Sequence, residues 1–440
     1  MTETWNSRVG FLIASIGAAV GLGNIWRFAY VAGENGGGAF LVVYLAMVAI
    51  VAFPLLVAEL ALGKNGAKDG VTAFAAPSSQ PVWRRVGWIG VVGSVLILSY
   101  YGVIAGWALR YFAATVSGEL WVSPLDFGED FHSFVANDHE PVWWFLAMMA
   151  LTAAVVIGGV ERGIERANLL LMPLLAVIVL GMAVYALFLP GSFAGVKFLF
   201  SADWTAVLEP GVWLAALGQA LFSIGVGMAV FVTFGGYMQR GFKVVGSAAV
   251  VAIGDTAFAI VAGLAIFPAV FAFGGSPGAG PELAFITLPQ VFLLMPMGKL
   301  AAAVFFFLLS AAALTSMISL LEVPVAVAIH RGGVRRSRAV PALALMIFAV
   351  GIPAALGYGL LADVSLLGRP WLDAVDRLTS NLLLPLAGIS VAAFFGWGLE
   401  RRVAVGLLET SSPRLVRYLR WALRVAPALV AATMFARFYQ

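Results

Sequence analysis

Uncharged apolar stretches, each long enough to cross a lipid bilayer, dominate the chain. A membrane-spanning helix needs about 20 mostly apolar residues, and stretches without Asp, Glu, Lys or Arg occupy residues 9–26, 39–58, 86–109, 141–160, 167–196, 210–239, 339–362 and 378–399. Two further stretches, 244–272 and 300–329, contain the single acids Asp255 and Glu322, and a weaker one at 421–438 contains Arg424. These continuous apolar runs predict an all-α polytopic membrane protein with 11 transmembrane helices, because barrel strands alternate.

Composition excludes a water-soluble globule. Of the 440 residues, 62% are hydrophobic and 11% charged, whereas soluble domains carry about 25% charged residues. The absence of cysteine excludes disulfides and thiolate sites, and the three histidines are too scattered for a metal centre. Nothing indicates nucleic-acid binding or a soluble domain, so residues 1–440 are predicted to form one transmembrane domain embedded in the lipid bilayer.

The distribution of positive charge predicts the orientation. With the N-terminus inside, 19 of the 26 Lys and Arg residues fall in inner loops, as the positive-inside rule requires. The loop at 117–140 has six acids and no Lys or Arg, which suits an outer loop. We therefore expect a multi-pass protein of the cell membrane with a cytoplasmic N-terminus.

Two apolar stretches contain glycine clusters beside small polar residues. Gly21 and Gly23 precede Asn24, and Gly225 and Gly227 follow Ser223. Glycine destabilises a helix by about 1 kcal/mol relative to alanine, and paired interruptions in the two halves of a membrane protein indicate discontinuous helices at a transport site. Close helix packing through small residues is the alternative explanation. We favour discontinuous helices 1 and 6 in two inverted five-helix repeats, residues 9–190 and 209–400, with an additional helix at 415–438.

The sequence around the first cluster is similar to a known signature. Residues 18–28 (AAVGLGNIWRF), followed by 34–40 (ENGGGAF), closely resemble the first helix of the neurotransmitter:sodium symporter family. Residues 218–223 (GQALFS), 286–289 (ITLP) and 314–316 (LTS) resemble other segments of that family. The resemblance runs from about residue 5 to 397. It implies the leucine-transporter fold and a place in the prokaryotic amino-acid transporter branch, which couples sodium entry to amino-acid import.

The resemblance also implies two sodium sites. Side-chain oxygens and unwound carbonyls would hold the ions, since a hard cation prefers oxygen ligands. The first site would comprise Ala19, Asn24, Ser223 and Asp255, together with the substrate carboxylate. The second would comprise Gly17, Val20, Ala312, Thr315 and Ser316. A lone carboxylate at membrane depth costs at least ~2.5 kcal/mol; a protonated or paired buried acid is the alternative reading of Asp255.

By the same resemblance, the substrate would lie between the two interruptions. Its lining would be Ala18, Ala19, Gly21, Leu22, Gly23, Ile97, Tyr101, Phe222, Ser223, Gly225, Met228, Ser316 and Leu320. Arg27 and Asp376 would form an extracellular gate, with Tyr101 and Phe222 as an aromatic lid. Thr2 and His330 stand where many members have an intracellular Arg–Asp pair, so we expect Glu3 or Trp5 to substitute for it.

The lining indicates the class of substrate. It carries no charge for a substrate side chain, and burying an unpaired charge is costly, so a neutral hydrophobic or aromatic α-amino acid is expected. A small amino acid or a taurine- or GABA-like compound is the alternative. Asp255 predicts chloride-independent transport, because its charge balances one sodium ion. Its protonation during the return step, giving proton antiport, remains open. An ion channel lacks support, because no polar pore ring is visible, and no constellation typical of an enzyme lies at membrane depth.

Overall fold

The structure, a computed structural model, describes residues 3–65, 69–74, 81–122, 126–277, 283–408 and 412–438. Within those ranges the chain is helical and contains no β-strand. The helices, in chain order, are α1 (Arg8–Ala19), α2 (Gly23–Glu34), α3 (Gly38–Lys64), α4 (Pro81–Ser117), α5 (Phe127–Val135), α6 (Glu140–Val156), α7 (Val160–Leu187), α8 (Phe193–Phe200), α9 (Trp204–Val207), α10 (Pro210–Ile224), α11 (Val230–Gly236), α12 (Val244–Ala272), α13 (Thr287–Leu294), α14 (Gly298–His330), α15 (Arg336–Ala355), α16 (Trp371–Gly398), α17 (Arg401–Leu408) and α18 (Pro413–Phe438).

Each predicted membrane stretch coincides with a helix or a bent pair of helices. Seven helices of the described chain are long and apolar enough to cross a membrane unaided, namely α3, α4, α7, α12, α14, α15 and α16. The pairs α1–α2 and α5–α6 meet the same criterion but bend by 53° and 77°. The all-α polytopic prediction is confirmed, while the total of 11 spans stays a prediction because α10 is short and α18 carries several arginines.

Two helices end earlier than the apolar pattern predicts. The stretch at 167–196 gives α7 only as far as Leu187, because Pro190 disfavours helical geometry in the residue before it and Gly191 follows with φ +82°. The stretch at 339–362 gives α15 only to Ala355, after which the chain turns. Apolar composition therefore overestimates helix length where proline and glycine end the helix.

The helix breaks lie where the glycine clusters predict them. Between α1 and α2, Val20 is extended at φ −71° and ψ 111°. Between α10 and α11, Gly225 and Gly227 have φ +77° and +91°, values that glycine adopts without steric penalty. The carboxylate of Glu59 on α3 accepts a 2.6 Å hydrogen bond from the Gly227 N–H. Helices 1 and 6 of the predicted topology are therefore discontinuous.

The two broken regions lie against each other inside the bundle. The side-chain amide of Gln219 on α10 donates a 2.8 Å hydrogen bond to the carbonyl of Gly23 at the start of α2. The surrounding walls come from α4, α12 and α14, whose residues facing the breaks are buried. Unpaired backbone groups at this depth are tolerated only where protein or a polar cavity surrounds them, so this region is where a polar ligand can be held.

Candidate functional site

A buried cluster of oxygen-bearing side chains links the two broken segments to α12. The Asn24 amide nitrogen donates to Asp255 Oδ1 at 2.7 Å and to Ser223 Oγ at 3.0 Å. The Ser223 hydroxyl donates in turn to Asp255 Oδ2 at 2.9 Å. All three side chains are almost completely buried, so the carboxylate is held at membrane depth by neutral partners alone.

The chemistry of this cluster fits a small hard cation. A carboxylate, an amide and a hydroxyl supply oxygen ligands, and the described chain places no Lys or Arg in an ion pair with Asp255. The buried hydroxyl of Tyr44 on α3 lies near this carboxylate but makes no hydrogen bond to it. The sequence interpretation missed Tyr44, although a tyrosine in the middle of an apolar stretch was the available signal. The structure thus brings together the three side chains predicted for the first sodium site.

A second oxygen-rich cluster joins the end of α1 to α14. Thr315 Oγ1 donates to the carbonyl of Ala312 at 2.8 Å and lies 3.3 Å from that of Val20. Ser316 Oγ lies 3.4 Å from the same Val20 carbonyl. None of these hydrogen bonds reaches the carbonyl of Gly17, which is one turn earlier on α1 and packs against Asn168. These contacts bring together Val20, Ala312, Thr315 and Ser316, and the role of the Gly17 carbonyl stays a prediction.

A small cavity lies between the broken segments. The predicted substrate residues that line it are Ala18, Ala19, Gly21, Gly23, Ile97, Tyr101, Phe222, Ser223, Gly225, Met228, Ser316 and Leu320. The prediction missed Ile224, Val230, Phe231 and Ser319, which also line it. Apart from the hydroxyls the lining is apolar, and its volume is about 30 Å³. It therefore accommodates about one water molecule as it stands, and a larger ligand requires its walls to move.

Leu22 departs from the prediction. Leu22 lines a larger vestibule, on the side predicted to be the outer one, and does not line the small cavity. Its backbone N–H donates a 2.9 Å hydrogen bond to the Tyr101 hydroxyl. This bond ties α4 to the break in the first helix. The Tyr101 hydroxyl retains its own proton for another acceptor, which suits the role of carboxylate donor predicted from the resemblance.

The outer vestibule is separated from the small cavity by two aromatic side chains. Tyr101 and Phe222 line both spaces, and the vestibule has a volume of about 440 Å³. The two residues predicted to form the extracellular gate, Arg27 and Asp376, make no ion pair with each other among the described residues. The Arg27 guanidinium instead lies 4.2 Å from the centre of the Phe222 ring, and Asp376 accepts a hydrogen bond from Ser380. Both residues line the vestibule.

The side predicted to face the cytoplasm, called the inner side below, is closed around Trp5. Its indole N–H donates a 3.0 Å hydrogen bond to the Phe234 carbonyl on α11, and the side chain is fully buried. Gln239 donates to the Trp5 carbonyl at 2.6 Å. His330 hydrogen-bonds only within its own helix, to the carbonyl of Ala326, and Thr2 lies outside the described residues. These contacts agree with the expectation that other N-terminal residues take the place of the usual gate.

Comparisons with known proteins decide the family. The profile of the Sodium:neurotransmitter symporter family matches residues 2–124 and 129–440. The chain belongs to this family. An uncharacterized sodium-dependent transporter of Bacillus subtilis, YhdH, is 39% identical over 89% of this chain and 86% of its own length. The bovine sodium-dependent dopamine transporter is 27% identical over 70% of this chain and 51% of its own length.

A solved structure extends the comparison to the fold. The crystal structure of MhsT in complex with L-phenylalanine has a TM-score of 0.91 and 44% sequence identity, covering 98% of this chain and 99% of that one. The leucine-transporter fold expected from the sequence is therefore confirmed. As a member of this family, the chain is a sodium-dependent membrane transporter and not an enzyme.

Proposed function

We propose that this transporter imports a neutral, hydrophobic or aromatic α-amino acid together with two sodium ions, by alternating access and without chloride. The observation that supports the proposal most directly is the isolated Asp255 carboxylate, held by Asn24 and Ser223 beside an apolar cavity. A carboxylate with no positive partner fits a cation as its counter-charge. We also propose that residues 9–190 and 209–400 form inverted repeats in the cell membrane, with the N-terminus in the cytoplasm.

The electrochemical gradient of sodium is sufficient to accumulate the substrate. One charge crossing 100 mV yields about 2.3 kcal/mol, and a tenfold sodium gradient adds about 1.4 kcal/mol. Two sodium ions thus supply roughly 7 kcal/mol, which supports about a 10⁵-fold accumulation of a neutral substrate. In this proposal the substrate carboxylate meets the Tyr101 hydroxyl and the first sodium ion.

The size of the substrate depends on how the cavity opens. Gly225 has open space where a side chain would begin, and Met228 is a flexible side chain that adapts to different shapes. MhsT, which shares this fold, binds L-phenylalanine in its crystal structure. These three points favour a large apolar side chain. The second candidate, a small amino acid or a taurine- or GABA-like compound, requires less movement of the walls around the cavity of about 30 Å³.

A thermal-shift screen of the purified transporter separates these candidates. Phenylalanine, tyrosine, tryptophan, leucine, glycine, taurine and GABA are each added in sodium chloride, sodium gluconate or potassium chloride. We expect the aromatic and branched amino acids to raise Tm in both sodium buffers and to leave Tm unchanged in potassium chloride. A shift for glycine, taurine or GABA alone would establish the second candidate, and a shift lost in gluconate would contradict chloride independence.

Ser319 offers the one polar group that the sequence interpretation missed in the cavity. Its hydroxyl donates a 2.7 Å hydrogen bond to the carbonyl of Ser316 and is 2% exposed. The hydroxyl oxygen keeps lone pairs that can accept a hydrogen bond. Because Leu320 beside it is apolar, Ser319 is placed to discriminate between substrates that differ by one donor, such as tyrosine and phenylalanine.

The substitution Ser319→Ala tests this discrimination. A neutral hydrogen bond contributes about 0.5–1.5 kcal/mol, so tyrosine binding should weaken by about 2- to 10-fold while phenylalanine binding is unchanged. The matched control is Ser310→Ala on the same helix. The Ser310 hydroxyl likewise donates to a carbonyl one turn earlier, that of Phe306, but Ser310 does not line the cavity. Equal weakening of both amino acids by Ser319→Ala would mean that Ser319 acts only on packing.

A further inference from the structure

Arg336, the first residue of α15, lies at the centre of an ion cluster on the inner side. Its Nη1 and Nη2 each donate a 2.7 Å hydrogen bond to the Glu322 carboxylate. Its Nε donates a 2.8 Å bond to Glu3, to which Nη2 also donates, and Nη1 donates to the carbonyl of Val156 at 3.0 Å. A guanidinium has five N–H donors, and these five bonds use all of them.

The position of Arg336 conflicts with local helix preference. A positive charge at a helix N-terminus is unfavourable, because the helix dipole is positive there, and the first turn of α15 contains no acid. The two carboxylates that compensate the arginine come from other parts of the chain, 14 and 333 residues away. The arginine is therefore placed by long-range pairing and not by the helix that it begins.

The cluster consists of one pair of residues on two neighbouring helices, the fixed half, and two residues from other segments, the docking half. Glu322 on α14 and Arg336 on α15 belong to consecutive packed helices joined only by residues 331–335, and the Glu322 side chain is fully buried. Glu3 belongs to the N-terminal segment, and its side chain is 33% exposed. The Tyr237 hydroxyl, just after α11, donates a 2.6 Å hydrogen bond to Glu322. Glu3 therefore precedes the first broken helix, and Tyr237 follows the second.

This division lowers the free-energy cost of opening the cluster. Removing one partner of a buried ion pair is strongly destabilising, because it leaves an uncompensated charge. If Glu3 and Tyr237 leave, however, Arg336 and Glu322 remain paired with each other and only the partly exposed carboxylate moves into water. The Trp5 backbone N–H also donates to the Tyr237 carbonyl at 3.1 Å, so the N-terminal segment and the end of α11 are connected and can leave together.

We propose that Arg336 and Glu322 form the fixed receptor of the inner gate, onto which Glu3 and Tyr237 dock when the inner side closes. This proposal rests on transport by alternating access, and it assigns the gate's cation to α15 and not to the N-terminus. His330 is not a member of this cluster, and its ring bonds to the carbonyl of Ala326 in its own helix. Loss of the docking carboxylate should leave the fold intact and shift the transporter towards its inward-open state.

Cysteine labelling tests the proposal, because the chain contains no cysteine. Ser15 on α1 is fully buried and its hydroxyl has no hydrogen-bond partner, so Ser15→Cys places a conservative reporter on the inner half-helix. In inside-out membrane vesicles, we expect Glu3→Gln to raise the rate of alkylation by a membrane-impermeant maleimide about tenfold. The control is Glu161→Gln, an exposed acid outside the cluster, which should leave the rate within twofold of the parent.

A charge exchange provides the second arm. Arg336→Glu places three carboxylates together and should raise labelling more than Glu3→Gln does. The double variant E3R/R336E restores one arginine between two carboxylates and should lower labelling again. Labelling of Glu3→Gln at the parent rate, or of the double variant at the rate of Arg336→Glu, would overturn the proposal. The assay requires no transport, and binding of sodium and phenylalanine to the Ser15→Cys parent is measured separately, so failure of the proposed function would be seen independently.

Discussion

Replacing Asp255 with asparagine is expected to weaken sodium binding by more than 100-fold and to abolish concentrative uptake. Loss of one partner from a buried charge pair costs about 3–5 kcal/mol, which corresponds to at least a 100-fold change in affinity. After the substitution, all the side chains that remain to bind the sodium ion, including Asn24 and Ser223, would be neutral. The measurement is the sodium dependence of Tm and of uptake into proteoliposomes.

The same substitution should not harm the folded state in the absence of sodium. An ionised carboxylate at membrane depth costs at least ~2.5 kcal/mol, and an amide of the same shape removes that charge, so Tm in potassium should stay equal or rise. Asp69→Asn is the control: Asp69 is buried, and the hydrogen bonds that it accepts from described residues come from Val71 and Thr72 in its own loop. A normal sodium titration for Asp255→Asn would remove Asp255 from the site. Asn24→Ala should show the same direction of change.

Replacing Gly21 with alanine is expected to lower substrate affinity by about 100-fold. The added carbon would lie 2.4 Å from Ser316 Oγ and 2.6 Å from the Tyr101 hydroxyl. Overpacking of this kind costs about 1–3 kcal/mol, and here it displaces groups that line the cavity. The measurement is the Kd of the amino acid identified by the screen, at saturating sodium.

Gly93→Ala on α4 is the matched control for this prediction. Gly93 is buried, yet no atom lies within 4 Å of the position of an added carbon, so the variant should bind substrate normally. The double variant G21A/Y101F should bind more tightly than expected from the two single changes, because the phenylalanine removes one clashing atom. Additive losses in this cycle would mean that Gly21→Ala acts by a route other than this contact.

The central part of the site could be predicted because the residues that break the two helices stand next to one another in the sequence. The pairs Gly21 with Gly23 and Gly225 with Gly227 weaken helical structure locally, and the polar residues beside them have no other role in an apolar stretch. Asp255 and Thr315 required the family resemblance to join them to these breaks, since each stands alone on its own long helix. The structure places both beside the breaks.

The parts that were missed depend on conformation or on distant partners. The predicted pair of Arg27 and Asp376 is a contact of one conformational state, and here an aromatic ring replaces the carboxylate as the neighbour of Arg27. Ser319 resembles any other serine on a buried helix until the direction of its side chain is known. Tyr44 lies near Asp255 although 211 residues of sequence separate them, a separation that no local pattern encodes.

The sequence by itself determined that this protein lies in the membrane and where two of its helices break. Hydrophobicity and glycine act on the residues that carry them, so their consequences are local and can be predicted without coordinates. Only the tertiary structure decided which charges meet on the inner side. Arg336 is one of several arginines near its loop, and what distinguishes it is the approach of Glu3 from the N-terminal segment and of Glu322 from α14. Electrostatic pairing depends on distance in space, and that distance exists only once the bundle has packed.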